Sequence, residues 1–153
     1  MNLKIFKAKK KHSKDIIRLI NKLAEFEKLE PPDKAAKRRL IKDAFPAKGK
    51  KPSFHILGVS YENEIVAYAF YFFTYSSFLA RKTLYLEDIF ISSDYRNKGI
   101  GKMLMKELEK IARKNGCGRM EWCVLDWNTN AINFYEKLGA KHLKEWKNYR
   151  ISL

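Results

Sequence analysis

The sequence contains few of the residues that build metal centres or disulfide frameworks. Among its 153 residues are two cysteines, Cys117 and Cys123, and three histidines that lie far apart, His12, His55 and His142. Two cysteines at this spacing form neither a zinc-ligand pattern nor a disulfide framework. The sequence therefore predicts no metal site and two reduced thiols.

Long apolar runs are also missing. The first residues, MNLKIFKAKKKHSK, are too charged to contain the apolar core of a signal peptide. No later stretch reaches the run of about 18 apolar residues that a membrane-spanning helix needs. We therefore expect a soluble, cytoplasmic protein that does not bind membranes. With 46% apolar residues the chain has enough material for one buried core, which predicts a single domain over residues 1–153.

Positive charge is in large excess. The chain has 32 Lys and Arg against 17 Asp and Glu, a net charge of +15 at pH 7. Such an excess suits a nucleic acid, a polyanionic cofactor, or a lysine-rich surface that is merely solvated. No recognised nucleic-acid-binding motif accompanies the charge, so we rank nucleic acid below a cofactor as a partner.

Hydrophobic periodicity predicts an α/β fold. Helices are expected after the caps Ser13 and Asp33 and at 100 to about 115 and 128–138. Strands are expected at 3–8, 54–60, 65–75, 83–91, 119–125 and 146–153. The run 65–75, IVAYAFYFFTY, is apolar on both faces, which is typical of a central strand. The simplest arrangement is a single mixed central β-sheet flanked by helices on both faces.

The stretch SDYRNKGIGKML, residues 93–104, places two glycines directly before an apolar helical pattern. A strand, a glycine-rich turn and a helix aim free backbone N–H groups at an anion, and the helix dipole favours negative charge there. A dinucleotide fingerprint would need glycine at Leu104, and a P-loop would need Ser or Thr at Met103. From this motif alone, an anion site and a tight turn with surface charges are equally open.

Longer stretches carry a family resemblance. The pattern Arg96-x-x-Gly99-x-Gly101, between a strand and a helix, resembles the pyrophosphate loop of GNAT acyltransferases, which hold acetyl-CoA. LYLEDIFISSDYRNKGIG (84–101) and WNTNAINFYEKLGA (127–140) resemble spermidine/spermine-type diamine N-acetyltransferases, and segments 16–30 and 70–75 fit the same group. The resemblance covers nearly the whole chain and implies the GNAT fold. The chain departs from it in a short loop near residue 60 and between Ala140 and Trp146.

The resemblance implies transfer of the acetyl group of acetyl-CoA to a primary amine of a small cationic substrate, by a homodimer without a metal. A diamine or polyamine is the first expectation for the acceptor, a lysine-like amino acid of the thialysine type the second, and a protein amine the third. A non-catalytic nucleic-acid-binding protein is the alternative from another class.

The resemblance also implies which residues bind the cofactor. Backbone N–H groups of the strand at 89–91 would polarise the thioester carbonyl, and the glycine loop would hold the pyrophosphate. The implied contacts are Ile89, Phe90, Ile91, Arg96, Asn97, Lys98, Gly99, Ile100, Gly101, Lys102, Asn128 and Tyr135.

Two residues are expected to carry the proton transfers. A free aliphatic ammonium has a pKa near 10, so acetylation needs a proton acceptor. We expect Glu87 to bind the amine and accept its proton through water, and Tyr135 to protonate the leaving thiolate. The alternative for Tyr135 is packing in the core beside Phe134.

Acidic residues are the expected contacts for the cationic substrate. Glu87 and its neighbour Asp88 lie in an apolar strand, where adjacent side chains point to opposite faces. A structural ion pair with a lysine is the alternative for Asp88. The resemblance adds Glu27 and Glu145 as substrate-binding acids, although a lone helical glutamate is otherwise usually a surface group.

Overall fold

The computed structural model describes residues 2–153, which form two compact units that divide between Trp122 and Cys123. The first unit contains the whole sheet, and the second contains one helix and the C-terminal segment. Within the described residues, no helix is long and apolar enough to cross a bilayer.

The first unit is a five-stranded mixed sheet with three α-helices. Its elements in chain order are β1 (Leu3–Lys7), α1 (Ser13–Glu27), α2 (Lys34–Ala44), β2 (His55–Tyr61), β3 (Glu64–Ser76), β4 (Arg81–Ile91), α3 (Ile100–Lys114) and β5 (Arg119–Trp122). The strands follow the order β1-β2-β3-β4-β5, and all neighbours are antiparallel except the parallel pair β4 and β5. The predicted mixed central sheet is confirmed.

Helices cover both faces of this sheet. On one face α1 buries Ile16 and Leu19 in a cluster with Tyr68 of β3 and Phe90 of β4. On the other face α3 packs on β4 and β5, with Leu108 fully buried. The periodicity of α1 and α3 predicted these apolar stripes.

The predicted helix caps differ in outcome. Asp33 caps α2 as predicted, since its carboxylate accepts a 2.7 Å hydrogen bond from the N–H of Ala36. Ser13 is the first residue of α1 rather than its cap, and its hydroxyl donates to the carbonyl of Lys10 at 2.5 Å. The missing side-chain cap affects only the first turn of α1, because tertiary packing of its apolar face stabilises the rest of the helix.

The second unit contains α4 (Thr129–Lys137). The predicted strand at 119–125 ends at Trp122, and the predicted closing strand at 146–153 is wrong, because residues 141–153 have no regular secondary structure and are exposed. A strand needs a neighbour for its N–H and C=O groups. Alternating apolar residues alone do not supply one.

Candidate active site

A β-bulge interrupts the ladder between β3 and β4 at Glu87. Phe70 pairs with Asp88 and Tyr71 pairs with Leu86, so Glu87 has no partner in the register. A bulge breaks the strict alternation of side chains along a strand. The expectation that Glu87 and Asp88 point to opposite faces assumed a regular strand, and that assumption does not hold at this position.

Beyond the bulge, the edge of β4 that faces away from β3 is open. The parallel strand β5 pairs with β4 only from Thr83 to Leu86, and no other described strand continues beside it. The N–H of Ser92 donates to the carbonyl of Val66 across the antiparallel ladder at 2.9 Å. Since hydrogen-bonded and non-hydrogen-bonded pairs alternate in such a ladder, the N–H groups of residues 89 and 91 face the open edge.

This geometry distinguishes the three predicted backbone donors. The amides of Ile89 and Ile91 face the open edge of β4, where a ligand has access to them. By the same alternation, the amide of Phe90 faces β3 and serves the ladder. The two amides lie about 6.7 Å apart along the strand, so they suit two successive acceptors of an extended ligand, and either can stabilise an oxygen that gains negative charge.

Asp88 occupies an unusual environment for a carboxylate. Its Oδ2 accepts a hydrogen bond of 3.3 Å from the hydroxyl of Tyr68, a residue with no exposed surface. Burial, followed by the nearby charge of Glu87, raises the pKa of Asp88 from 3.8 to about 6, against the opposing effect of the Tyr68 hydrogen bond. The alternative of a structural ion pair with lysine is absent, since no cation of residues 2–153 lies within 4 Å of this carboxylate.

Two further carboxylates lie near Asp88. Glu87 is exposed beside it on β4, and Glu27 is half-buried at the last position of α1. Burial raises the pKa of Glu27, and its negative charge contributes to the raised pKa of both Asp88 and Tyr68. Within the described chain, neither glutamate forms an ion pair. The structure therefore brings together three of the four predicted substrate-binding acids without a compensating cation.

The glycine loop has the geometry of an anion site. Gly99 precedes α3 in a left-handed conformation (φ 78°), and a Cβ placed on it would meet no atom within 4 Å. The first N–H groups of α3, which include those of Gly101 and Lys102, have no acceptor inside the helix. Asn97 is also left-handed (φ 59°), so the loop turns sharply twice before the helix begins. These features fit a pyrophosphate group.

Arg96, a predicted cofactor contact, lies between the end of β4 and the end of α1. Its Nε donates a 3.0 Å hydrogen bond to the carbonyl of Ile91, and its guanidinium lies 5.0 Å from the ring centroid of Phe26 and 5.7 Å from that of Phe90. Arg96 thus joins the end of β4 to Phe26 in the last turn of α1. Lys98 lies over the ring of Tyr95 at 5.2 Å.

The remaining predicted residues belong to the second unit. The Oδ1 of Asn128 accepts a 3.2 Å hydrogen bond from the N–H of Ala131 and so caps α4. Tyr135 is buried, its ring lies 5.3 Å from that of Phe134, and burial raises its pKa to about 12. Glu145 is exposed in the segment without secondary structure.

Sequence reasoning missed the part played by Tyr68. In the sequence it is one of several aromatic residues in a strand that is apolar on both faces. Its hydroxyl is significant only because it meets Asp88 of the neighbouring strand, two residues before the register partner Phe90. The only available signal was a tyrosine at a central position of the strand, since a buried hydroxyl needs a hydrogen-bond partner.

A separate cavity of about 730 Å³ is strongly basic. Five cations line it against the single acid Asp43, and it shares no residue with the acidic cluster; the cations are Lys10, Arg38, Lys42, Lys50 and Lys51. Part of the excess positive charge is therefore located away from the three carboxylates. No group of three or more potential metal ligands occurs in the part of the chain that the structure describes.

Comparisons with known proteins identify the family of the chain. A model of the acetyltransferase (GNAT) family matches residues 16–140. The thialysine N-epsilon-acetyltransferase of Mus musculus is 38% identical over 158 residues, which span 96% of this chain and 91% of that protein. The spermidine/spermine N(1)-acetyltransferase-like protein 1 of Homo sapiens is 32% identical over 144 residues, 90% of this chain and 20% of that protein.

Solved structures show the same fold. AAC(6')-Iy, in complex with the bisubstrate analog CoA-S-monomethyl-acetylneamine, matches with a TM-score of 0.81 and 17% identity, and the match covers 100% of both chains. The GNAT-like fold predicted from the sequence is thereby confirmed. The chain belongs to the acetyltransferase (GNAT) family and is an acetyl-CoA-dependent N-acetyltransferase that acts on amines.

Proposed function

We propose that the acceptor is the primary amine of a small cationic molecule, with a diamine or polyamine as the first choice and a lysine-like amino acid as the second. The observation that carries this proposal is the cluster of Glu27, Glu87 and Asp88, which has no ion-paired cation among residues 2–153 although the chain has a net charge of +15. A substrate with two ammonium groups would supply the missing positive charge. The names of the two relatives, which refer to thialysine and to spermidine and spermine, support the same class.

Acetyl-CoA is proposed to bind along the open edge of β4 with its pyrophosphate at the glycine loop. The loop offers the N–H groups of the first turn of α3 together with the exposed ammonium groups of Lys98 and Lys102. One of the N–H groups of Ile89 and Ile91 would hold the thioester oxygen and stabilise the charge that it gains, and the other would bind a second acceptor farther along the cofactor. Asn128 and Tyr135 stay proposed contacts from the second unit.

In the proposed reaction Glu87 binds the substrate ammonium and relays its proton through water. The neutral amine then attacks the thioester carbonyl, and the new nitrogen centre carries a positive charge until it loses a second proton. Tyr135 would protonate the departing sulfur. Because burial holds the pKa of Tyr135 at about 12, above the value near 8.5 of a thiol, the phenol must regain its proton from the positively charged nitrogen.

We further propose that residues 1–153 act as one catalytic domain in a cytoplasmic homodimer. Apolar side chains support a contact between subunits, since Trp146, Tyr149 and Ile151 are each more than three-quarters exposed in the C-terminal segment. Large apolar surfaces of this kind mark interaction sites. Sedimentation that gives only an 18.1 kDa monomer at micromolar concentration would count against the dimer.

Nucleic acid is not expected as a partner, and the basic cavity is where that expectation is testable. If RNA binds the protein at the cavity at physiological salt, substitution of Lys50 and Lys51 by glutamine should weaken the binding and reduce its salt dependence. Absence of RNA binding by the unmodified chain would support the expectation that a cofactor, and not nucleic acid, is the partner.

The substrate class is tested by a screen of amines with acetyl-CoA, read as release of free thiol. Diamines, polyamines, lysine-like amino acids, monoamines and a lysine peptide are compared by their kcat/KM. We expect Glu27→Gln to raise KM for a diamine more than for a monoamine, because a second ammonium loses its partner. Glu25→Gln, an exposed neighbour on α1, is the matched control. Equal effects on both amines would argue against an acidic amine site.

A further inference from the structure

The pair formed by Tyr68 and Asp88 is distinctive in its burial. Tyr68 is 0% exposed, and its hydroxyl donates to the Oδ2 of Asp88 across the ladder between β3 and β4. A buried phenol with a hydrogen bond to a carboxylate keeps its own proton, and the pKa of Tyr68 is raised well above 10 by burial and by Asp88. Tyr68 is therefore the hydrogen-bond donor to the ionised carboxylate of Asp88.

Three elements near Asp88 each contribute a polar or acidic group. On β4 the neighbour is Glu87, on β3 it is Tyr68, and on α1 it is Glu27. The loop before α3 contributes Arg96, but its guanidinium lies over the rings of Phe26 and Phe90 and bonds to a backbone carbonyl. The hydrogen bond from Tyr68 lowers the pKa of Asp88, against the larger effects of burial and of Glu87, which raise it.

Resting on the proposed function, we propose that Asp88 is the final acceptor of the proton that the substrate amine loses. Tyr68 is the positioning residue, because its hydrogen bond orients the Asp88 carboxylate and sets the pH range in which that carboxylate can accept a proton. Glu87, which is exposed, contacts the ammonium and passes the proton inward. Asp88, which is half-buried, stores it.

The proposed transfer releases one proton for each amide that is formed. The ammonium loses one proton to the Asp88 carboxylate and becomes a neutral amine, whose lone pair forms the C–N bond. The C–S bond breaks, its electron pair stays on sulfur, and the proton released by the acylated nitrogen neutralises that sulfur. Asp88 then returns its proton to solvent, so the net products are the amide, the free thiol and one released proton.

The test is the dependence of kcat/KM on pH, which reports the essential groups of the free enzyme. In the unmodified enzyme we expect an acidic limb with a midpoint at about 6, the pKa of Asp88. Tyr68→Phe keeps the ring but removes the donor, so the limb should move to higher pH by at least about half a unit. Asp88→Asn should lower kcat by about 10²–10⁴-fold across the range, the usual worth of general base catalysis.

The matched control is Tyr71→Phe, a buried tyrosine on the same strand whose register partner is Leu86 rather than Asp88. Its acidic limb should coincide with that of the unmodified enzyme. If Tyr68→Phe also left the limb in place, or if Asp88→Asn kept its kcat, the proposal would be overturned. An unmodified chain that acetylates no amine would instead defeat the proposed function, so the two failures are distinguishable.

Discussion

Asp88 should make the folded protein less stable at neutral pH than it would be with a neutral side chain at this position. The pKa of Asp88 is 3.8 in an unfolded chain and about 6 in the folded one, a difference of about 2. Since one pH unit corresponds to 1.4 kcal/mol, the free energy of unfolding should fall by about 3 kcal/mol as Asp88 ionises. For a chain of this size, that loss lowers Tm by about 6–12 °C.

The sign of the effect follows from the direction of the pKa change. A carboxyl group whose pKa is higher in the folded state binds its proton more tightly there, so its contribution is fully favourable below the unfolded pKa of 3.8. The contribution is lost as pH rises towards the folded value of about 6. Asp88→Asn carries no titrating proton, so its advantage over the unmodified chain should grow over this interval and then stay constant.

Urea unfolding of both proteins at a series of pH values measures this difference. Comparison of two variants at each pH cancels the titration of all other groups. The control Asp43→Asn removes an exposed carboxylate from α2 and tests for a general effect of net charge. If Asp88→Asn were equally stabilising at pH 4 and pH 8, or destabilising at both, the environment assigned to Asp88 would be wrong.

Three other predictions concern the cofactor loop and the proton donor. Gly99→Ala should lower stability by about 1 kcal/mol in thermal unfolding, because alanine is strained at φ 78° although space is available for its methyl group. Gly101→Val should weaken acetyl-CoA binding in calorimetry by placing bulk against the pyrophosphate, and binding as tight as that of the unmodified chain would contradict the assigned loop. Tyr135→Phe should still bind acetyl-CoA but slow single-turnover acetylation by about 10²–10⁴-fold, and an unchanged rate would make Tyr135 a packing residue.

The sequence contained most of the information about the fold. Apolar spacing located α1 and α3 closely, because an amphipathic stripe is a local pattern that tertiary packing preserves. The prediction of a closing strand at 146–153 was wrong for the opposite reason. Tyr149 and Ile151 alternate like strand residues, but strand pairing depends on a neighbouring strand that no local pattern supplies.

The site was less accessible to sequence reasoning. The glycine loop was found because its backbone geometry requires particular residues, as the left-handed Gly99 shows. The bulge at Glu87 was not found, since it depends on the register between two strands and has no residue signature here. The contact of Tyr68 with Asp88 and that of Arg96 with Phe26 likewise join residues that are distant in the chain, and one sequence does not reveal them.

Beyond Leu86, the outer edge of β4 has no neighbouring strand among the described residues, so its backbone N–H groups on that side have no partner in the sheet. Where β5 pairs with β4, backbone amides are protected on both sides, whereas Ile89 and Ile91 present theirs to solvent or to a ligand. An extended ligand laid along this edge would act as a substitute for the missing strand. Hydrogen exchange at these two amides should therefore slow when acetyl-CoA binds, while exchange at Phe90, already in the ladder, should change least.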